Sequence, residues 1–286
     1  MKTVWLTENK NIEQGAAMLL GGFDGLHIGH RRLFSRAKQS GLPVGVMTII
    51  GGKDGNIFTF AERERIFKEN GADFVCELPF DEIKDMSPTA FLQFLIEKFN
   101  PRVFVCGEDF RFGAGALGTP EMIKTSTQVR VEILSLVEMG GEKISSRKVK
   151  ELLEKGEVEK ANTLLGEAFF LCGKVEKDRQ IGRKIGFPTA NIAYPQEKFP
   201  LKKGVYATKV TVDGVEYKGI TNYGARPTFD NDKVVTETYL DGFSGDLYGK
   251  ELTVRFVKYL RDVTKFENVE ALKKQLEEDV RRARND

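Results

Sequence analysis

The hydrophobic pattern of this 286-residue chain changes near residue 166, and that change constrains the fold more than any other feature. Before it, continuous apolar runs alternate with segments of helical periodicity. Continuous apolar runs are typical of strands buried on both faces, and their alternation with helices predicts a parallel sheet with right-handed crossovers. Beyond it, from about 168 to 260, short strands follow turn signals, which predicts a compact antiparallel barrel or sandwich.

The same periodicity places individual elements in both parts of the chain. The apolar runs of the first part predict the strands Ala17–Leu20, Pro43–Ile50, Asp73–Leu78, Arg102–Cys106 and Val129–Leu136. Helical spacing predicts helices over about 28–40, 60–70 and 88–99, then over 145–155 and 157–165. In the second part we predict the strands Tyr206–Val212, Val215–Ile220, Val235–Leu240 and Leu252–Tyr259, and a final helix at about 267–283. These elements predict two domains, 1–166 and 167–286.

Composition and charge argue against several classes of protein. Hydrophobic residues make up 41% and charged residues 30% of the chain, which is ordinary for a globular protein. Up to residue 166 there are 22 basic against 23 acidic residues, and after it 22 against 19, so neither part offers a basic surface to nucleic acid. No apolar stretch approaches the ~18 residues of a membrane span. We therefore expect no nucleic-acid partner and no membrane partner.

The cysteines and the N-terminal segment indicate a compartment. Cys76, Cys106 and Cys172 are far apart and form no C-x-x-C pair, so we expect neither a disulfide nor a cysteine metal site. The first two lie inside apolar runs, as buried small hydrophobic residues do. The N-terminus lacks the basic and then apolar pattern of a signal peptide. We expect a cytoplasmic protein that is a monomer or a weak homo-oligomer.

His27 and His30, the only two histidines, stand three residues apart after an apolar run and a glycine turn. This order places both imidazoles at a helix N-terminus, where unpaired N–H groups and the helix dipole favour anions. In isolation the pair is also compatible with structural histidines or with half of a zinc site, but the nearest cysteine is 46 residues from His30. The turn therefore favours a site that donates hydrogen bonds to charge developing on the phosphates of a nucleotide.

Two other segments of the first part are candidates on weaker grounds. The segment Gly107–Gly113, with Asp109 inside it, follows a predicted strand, and taken alone it is equally compatible with a bulky turn. Ser145 and Ser146 open a predicted helix. Helix capping alone explains these serines, and capping is compatible with phosphate binding.

In the second part a glycine-flanked basic loop, Gly182–Gly186, leads into the segment Pro188–Asn191. The loop lacks the G-x-x-x-x-G-K-[ST] spacing of a Walker-type P-loop, and it is compatible with a polar turn between strands. Its glycines and its basic pair nevertheless suit a flap over phosphates. Thr189 and Asn191 offer oxygens to a hard cation such as Mg²⁺.

These segments together resemble those of one enzyme family. The segment Gly22–Arg31 is similar to the H-x-G-H motif of the nucleotidyltransferase superfamily. Gly107–Gly113 resembles the G-x-[DN]-F-x-F-G segment of bacterial FAD synthetases, and Lys143–Ser146 resembles the start of their I-S-S-T-x-I-R segment. Gly182–Asn191 closely resembles the riboflavin kinase signature, and three further segments follow in the order of that family: 204–207, 222–229 and 245–249. The resemblance, to bifunctional bacterial riboflavin kinase/FMN adenylyltransferases, covers nearly the whole chain.

The resemblance implies a fold and two reactions. The fold is an N-terminal Rossmann-like nucleotidyltransferase domain with a parallel sheet, and a C-terminal six-stranded antiparallel riboflavin kinase barrel with a terminal helix. The small-molecule partners are ATP, riboflavin and FMN: ATP phosphorylates riboflavin to FMN, and ATP adenylylates FMN to FAD and pyrophosphate, with Mg²⁺ as cofactor. The family's catalytic glutamate falls on Glu237, which by spacing alone would be taken for a solvated strand carboxylate.

The resemblance also implies a set of site residues. The catalytic residues are Glu237, His27 and His30. The nucleotide-binding residues of the first domain are Gly22, Phe23, Asp24, Gly29, Asp109, Ser145, Ser146 and Lys150. The ATP- and flavin-binding residues of the second domain are Gly182, Arg183, Lys184, Gly186, Pro188, Thr189, Asn191, Asn222 and Arg226. The metal is held through Thr189 and Asn191.

Two departures from the family pattern lie in the first domain. Where the family usually has a T-F-x-P-H-P-like stretch, Thr48 is followed by 49–53 without proline or histidine. Lys150 stands where the family has arginine, and lysine lacks the bidentate fork of a guanidinium. The alternative is therefore a riboflavin kinase whose first domain is a weakened or inactive adenylyltransferase that only binds nucleotide or flavin. A third class, an RNA-associated protein of synthetase ancestry, rests on the histidine motif alone, and the charge balance opposes it.

Overall fold

The computed structural model describes residues 2–7, 12–51, 55–177, 186–225 and 234–285. The chain divides into two compact units, Met1–Ser146 and Arg147–Asp286. The stretch between this division and residue 166 is helical and belongs to the second unit, where the Asn162 Nδ2 donates to the Phe256 carbonyl at 2.9 Å. The functional boundary at 166 stays a prediction.

Within the described ranges, no helix combines the length and the apolar character that crossing a membrane requires.

A six-stranded sheet forms the first unit. Its strands are β1 Lys2–Trp5, β2 Ala16–Leu20, β3 Val44–Ile50, β4 Phe74–Pro79, β5 Pro101–Gly107 and β6 Arg130–Leu134. They are hydrogen-bonded in the order β1-β4-β3-β2-β5-β6. Strands β2 to β6 are parallel, whereas the edge strand β1 pairs antiparallel with β4. The strand order reverses between β2 and β5, and open α/β sheets bind ligands at the carboxyl ends of the strands at such a reversal.

Helices connect the parallel strands. They are α1 Ile28–Lys38, α2 Phe60–Glu69, α3 Phe80–Ile83, α4 Pro88–Phe99 and α5 Pro120–Ser126. The two-residue strands β7 Glu138–Met139 and β8 Glu142–Lys143 form a short hairpin near the end of the unit. Helix α4 shows how local sequence sets an element: the Ser87 side chain accepts the Ala90 N–H at 3.1 Å, proline fills the first turn, and Asn100 ends the helix in the left-handed conformation.

The core of this unit holds the strand ends in place. Strand β2 is buried along its whole length, and the apolar stripe of α4 packs against the sheet through Phe91, Leu95 and Phe99. Burying one such side chain contributes about 1.5–3 kcal/mol. The loops at the carboxyl ends of β2 and β5 therefore start from rigid positions.

The second unit is a barrel preceded by two helices, α6 Ser146–Lys155 and α7 Val158–Leu165. Its strands are β9 Phe170–Lys174, β10 Thr189–Ala193, β11 Gly204–Val212, β12 Val215–Ala225, β13 Val234–Leu240 and β14 Glu251–Arg261. All neighbouring pairs are antiparallel, in the order β10-β13-β12-β11-β14-β9. The two terminal strands approach each other, and a bridge joins Glu176 to Asn191, so the sheet is nearly closed.

The two faces of the barrel wall differ. Three buried hydroxyls, those of Thr208, Thr221 and Thr238, form a chain with spacings of 2.9 Å inside it. On the outer face lies the terminal helix α8 Val269–Arg284, which packs Leu276, Val280 and Ala283 against an apolar cluster that includes Tyr239. The fully buried Asp279 of this helix accepts hydrogen bonds from the Arg261 guanidinium at 2.7–3.0 Å. The helix is therefore fastened to the outer face of the barrel.

The fold class predicted from the sequence is confirmed, with three differences in detail. The first sheet is not wholly parallel, because the short strand β1 adds an antiparallel edge. The sequence pattern also missed β9 and β10, and β10 begins within the segment that the sequence pattern predicts to be a loop motif. The predicted strand Val129–Leu136 ends at Leu134, two residues early.

Candidate active site

A cleft of about 290 Å³ opens where β2, β5 and β6 end. Its lining comes from the end of each of these strands, from the first turn of α1 and from residues 143–146. It brings together seven residues that the sequence singled out, namely Gly22, His27, Gly29, His30, Asp109, Ser145 and Ser146. The predicted location of the site, at a strand end beside a helix N-terminus, thus matches a cleft in the first unit.

His27 is the N-cap of helix α1. Its Nδ1 accepts the backbone N–H of His30 at 3.3 Å. Because Nδ1 accepts, a neutral His27 carries its proton on Nε2, on the other side of the ring. Gly29 allows this arrangement, since a Cβ there would lie only 3.1 Å from the His27 Nδ1. The residue that caps the helix is therefore also a hydrogen-bond donor.

His30 has the opposite tautomer. Its Nδ1 lies 2.9 Å from the carbonyl oxygen of Gly25, and a carbonyl can only accept. A neutral His30 therefore carries its proton on Nδ1 and has a lone pair on Nε2. The two imidazoles stack with their centroids 3.7 Å apart and their planes at 14°. They are not equivalent: His27 donates from Nε2 when neutral, whereas His30 donates from Nε2 only when protonated.

The surroundings keep both imidazoles neutral. Burial lowers the pKa of His27 to about 2, and the neighbouring His30 adds to the effect. Burial also lowers the pKa of His30 to about 4, against the hydrogen bond to Gly25 and the charges of Asp109 and Asp24. An anion bound beside them would raise both pKa values, because a negative charge favours the imidazolium form.

Phe23 and Asp24 support the turn and do not line the cleft. The Phe23 ring is buried and lies 4.7 Å from the His30 ring, measured between centroids. The Asp24 Oδ1 accepts the N–H of Ile57 at 2.7 Å, which ties the turn to the segment before α2. Both residues lie behind the histidines, and their predicted contact with nucleotide stays a prediction.

Sequence reasoning missed three basic side chains that line the cleft: Arg32, Arg111 and Lys143. Lys143 forms an ion pair with Asp109. A signal was present for each, since Arg32 follows the second histidine by two residues and the other two lie in or beside motifs already noted. Three cations beside one carboxylate give the cleft a net positive lining, which suits a polyphosphate.

Lys150 belongs to the second unit. Its Nζ lies 5.3 Å from the centroid of the Phe199 ring in that unit. A cation over an aromatic face is a stabilising contact. Its predicted role in binding the nucleotide stays a prediction.

On the barrel, Glu237 lies between two asparagines. In the register of β10, β13 and β12, Asn191 is opposite Glu237, and Glu237 is opposite Asn222. Directly opposite residues of antiparallel strands share a face, with Cβ atoms about 4.5–5.5 Å apart. Thr189, two residues before Asn191, shares that face and is opposite Tyr239. Three of the predicted residues therefore form a row across neighbouring strands, with the fourth beside it.

Asn191 carries an unusual oxygen. The residue is 7% exposed, and its Oδ1 has no hydrogen-bond partner among the described residues. Its amide nitrogen is 3.5 Å from the Thr189 carbonyl. A buried oxygen without a donor is costly unless a ligand or ion completes it. The oxygen donors on this face fit the preference of Mg²⁺.

The remaining barrel residues predicted from the sequence fall into two groups. Gly186 and Pro188 are exposed, and between them Phe187 packs on Tyr239 with centroids 5.0 Å apart. The other four, Gly182, Arg183, Lys184 and Arg226, lie outside the described residues. Within the described ranges, no group of three or more histidine, cysteine or acidic side chains could hold a metal ion. A cation on this face would therefore depend on threonine and asparagine oxygens.

Fold and site thus define a nucleotidyltransferase-type α/β unit followed by a flavokinase-type barrel. Two family models match accordingly: one described as FAD synthetase over residues 9–148, and one described as riboflavin kinase over residues 165–286. The bifunctional riboflavin kinase/FMN adenylyltransferase of Pseudomonas fluorescens is 31% identical over 95% of this chain and 93% of its own length. That of Bacillus subtilis is 31% identical over 99% of this chain and 97% of its own.

A solved structure agrees over nearly the full length. A crystal structure described as a macrolide-efflux protein from Streptococcus pneumoniae is similar with a TM-score of 0.86 and 31% identity, covering 95% of this chain and 94% of that one. The chain belongs to the bifunctional riboflavin kinase/FMN adenylyltransferase family. The family and the enzyme class predicted from the sequence are confirmed.

Proposed function

We propose that the barrel of this chain phosphorylates riboflavin with ATP, and that the first unit transfers AMP from a second ATP to the FMN so formed, giving FAD and pyrophosphate. One observation carries the proposal for the first unit: the cleft joins two stacked imidazoles, a helix N-terminus and three basic side chains. Family membership supports both activities.

Adenylyl transfer in the cleft needs alignment and charge neutralisation. The nucleophile is a phosphate oxygen of FMN, which is already ionised at pH 7, so no general base is required. The new bond joins that oxygen to the α-phosphorus of ATP, and the bond to the β-phosphate breaks with release of pyrophosphate. The His27 Nε2 donates to the phosphates, and Arg32, Arg111 and Lys143 offset their charge.

His30 acts in a second way in this proposal. The polyphosphate raises its pKa, and the proton that it then takes up at Nε2 turns a lone pair into a donor. The hydrogen bond from Nδ1 to Gly25 stays in place throughout. The pair thus supplies one donor at rest and two when ATP is bound.

Phosphoryl transfer on the barrel needs a base, because an alcohol is a poor nucleophile at neutral pH. Glu237 accepts the proton of the ribityl 5′-hydroxyl as its oxygen bonds to the γ-phosphorus and the bond to the β-phosphate breaks. Asn222, opposite Glu237, offers an amide to orient substrate or carboxylate. Thr189 and Asn191 would hold Mg²⁺, which when bound offsets phosphate charge.

The setting of these reactions is also proposed. None of the three cysteines forms a disulfide, and Cys76 and Cys106 are buried. Free thiols persist in a reducing compartment, so we place the protein in the cytoplasm. In this proposal its partners are ATP, riboflavin and FMN, with no nucleic acid, and the chain acts as a monomer or a weak homo-oligomer.

The test is product analysis with the intact chain. Riboflavin, ATP and MgCl₂ should give FMN first and then FAD, and FMN with ATP should give FAD with one pyrophosphate per FAD. Chromatography of the flavins measures both steps. If neither FMN nor FAD forms, the proposal is contradicted. FMN without FAD would instead support the alternative, a first domain that is weakened or inactive as an adenylyltransferase.

A further inference from the structure

We infer that Arg63 is a positioning residue for adenylyl transfer, acting through Thr48 and the carbonyl group of Gly22. The inference rests on the proposed adenylyl-transfer site and assigns it a support that lies outside the cleft. Neither Arg63 nor Thr48 lines the cleft. Both are almost completely buried, at 1% and 0% exposure.

The contacts form a directed chain. The Nη1 of Arg63, on helix α2, donates to the Oγ1 of Thr48, on strand β3, at 2.8 Å. The Thr48 Oγ1 in turn donates to the carbonyl oxygen of Gly22 at 2.9 Å. A hydroxyl has a single proton, so accepting from Arg63 leaves that proton to Gly22. A charged donor at the head of such a chain strengthens the next hydrogen bond by polarisation.

The carbonyl of Gly22 sets the conformation of the histidine turn. It belongs to the peptide that joins Gly22 to Phe23, and the φ of Phe23 is +44°, in the left-handed region. A bulky residue stays in that region only where its surroundings hold it there. The Phe23 ring in turn contacts the His30 ring. The hydrogen bond to the Gly22 carbonyl therefore also fixes the Phe23 ring against which His30 packs.

Arg63 starts from a rigid element. A reciprocal capping box, Thr59 with Glu62, fixes the first turn of α2 immediately before it. The guanidinium also lies 5.7 Å from the centroid of the Phe60 ring. Arg63 on helix α2 therefore holds the Thr48 side chain on β3, and Thr48 holds the Gly22 carbonyl in the turn.

Packing alone does not account for a guanidinium at this place. Its Nε has no hydrogen-bond partner among the described residues, and burial lowers the pKa of the side chain. The charges of Asp24 and Glu77 oppose that shift. A buried charge with an unsatisfied N–H is a poor choice for stability, where an apolar side chain of similar volume serves as well. What the guanidinium supplies is a directed hydrogen bond to Thr48.

The experiment compares four single variants and one double variant of the full chain. Thr48→Val removes the hydroxyl and keeps the shape, and Thr48→Ser keeps the hydroxyl. Arg63→Met removes the donor, and Arg65→Met is its matched control on the same helix, where Arg65 pairs with Glu69 at 3.4 Å. For each variant we would measure kcat and KM for FAD formation from FMN, and the rate of FMN formation from riboflavin. Fluorescence of Trp5, the single tryptophan, reports on the fold of the first unit.

We expect Thr48→Val and Arg63→Met each to lower kcat for FAD formation by about tenfold or more, because a misplacement of about 1 Å can cost about 100-fold in rate. KM for FMN, FMN formation from riboflavin and Trp5 emission should stay close to wild type. Thr48→Ser and Arg65→Met should keep kcat. The double variant Thr48→Val/Arg63→Met should have a kcat no lower than that of either single variant, since both substitutions break the same chain of hydrogen bonds.

A spectroscopic readout separates positioning from general stability. The chain has two histidines, so ¹⁵N-histidine NMR shows two rings. The His30 ring signals should move in Thr48→Val and Arg63→Met and stay in place in Arg65→Met. The inference would be overturned if Thr48→Val folds and keeps the wild-type kcat, or if the effects of the two substitutions add in the double variant. If Arg63→Met does not fold, the kcat of Thr48→Val alone tests the inference. A wild-type chain that makes no FAD from FMN would contradict the proposed function instead.

Discussion

The cleft of the first unit and the outer face of the barrel, which we propose as the two phosphate sites, are built from different residue types. The cleft places neutral imidazoles and basic side chains at strand ends, drawn from four separate stretches of sequence. The barrel places one carboxylate between two amides, in register on three strands. The nucleophiles explain the difference, because the phosphate of FMN is anionic at pH 7 whereas the hydroxyl of riboflavin has to lose a proton.

The two units also carry different spectroscopic probes, so each can be observed separately. Trp5 is the only tryptophan and lies in the first unit, while all seven tyrosines lie in the second. Both histidines belong to the first unit. Each perturbation below can therefore be assigned to one unit by its optical signal and by its flavin product.

The largest effect is expected from Glu237→Gln, which removes the proposed base and keeps the side-chain shape. FMN formation from riboflavin should fall by about 10³-fold, in the range of general-base contributions. FAD formation from supplied FMN should be unchanged. Flavin chromatography measures both, with Glu216→Gln on β12, an exposed residue paired with Lys209, as the matched control. Loss of both reactions with native tyrosine emission would contradict the assignment.

The reverse split is expected from His27→Ala and from His30→Ala. Each should slow FAD formation from FMN by about 100-fold, the typical effect of losing one donor to a developing anion. FMN formation from riboflavin should continue at the wild-type rate. Initial rates with each flavin as substrate measure the split. If a folded histidine variant also lost FMN formation, the separation of the two sites would be wrong.

A smaller change is expected from Asn191→Ala. The MgCl₂ concentration for half-maximal FMN formation should rise by about tenfold, as when a metal site loses a supporting group. Unfolding monitored by tyrosine should change little, because the Asn191 Oδ1 has no partner among the described residues. A lower maximal rate at an unchanged MgCl₂ requirement would show that Asn191 does not act through the metal.

Acid should weaken the first unit selectively. The folded pKa values of about 2 for His27 and 4 for His30 lie below the ordinary 6.5. Below pH 6.5 the unfolded chain binds protons that the folded chain does not, so the free energy of unfolding falls as the pH drops toward 4. The slope is up to about 1.4 kcal/mol per pH unit for each histidine. Urea unfolding followed by Trp5 and by tyrosine should separate the units, and a flat Trp5 profile between pH 7 and 5 would exclude buried neutral histidines.

The smallest effect concerns the helix cap. His27→Asn offers an acceptor at the place of Nδ1, whereas His27→Gln does not, so only the second should lose the cap on the His30 N–H. That loss should lower the free energy of unfolding of the first unit by about 1 kcal/mol. Both variants should slow FAD formation. Equal Trp5-monitored urea midpoints for the two would rule out capping by His27.

Local sequence predicts some of the cleft residues and misses others. His27, Gly29 and His30 were predicted as one group because strand, turn and helix start are encoded within about fifteen residues. Arg111 and Lys143 were missed as cleft residues, since they come from the loop after β5 and from the β7–β8 hairpin, both far from the histidines in sequence. Strand β10 was missed for a related reason, because its hydrogen-bond partner β13 begins 41 residues after β10 ends.

The sequence by itself determined the two kinds of unit, their order and the helix N-terminus that carries both histidines, because these depend on periodicity and on turn residues close together in the chain. Long-range contacts were needed to show that Glu237 lies between Asn191 and Asn222, and that Arg63 reaches the Gly22 turn through Thr48. Those features depend on hydrogen bonds and registers between residues far apart in sequence, whose energies exist only once the sheets have formed.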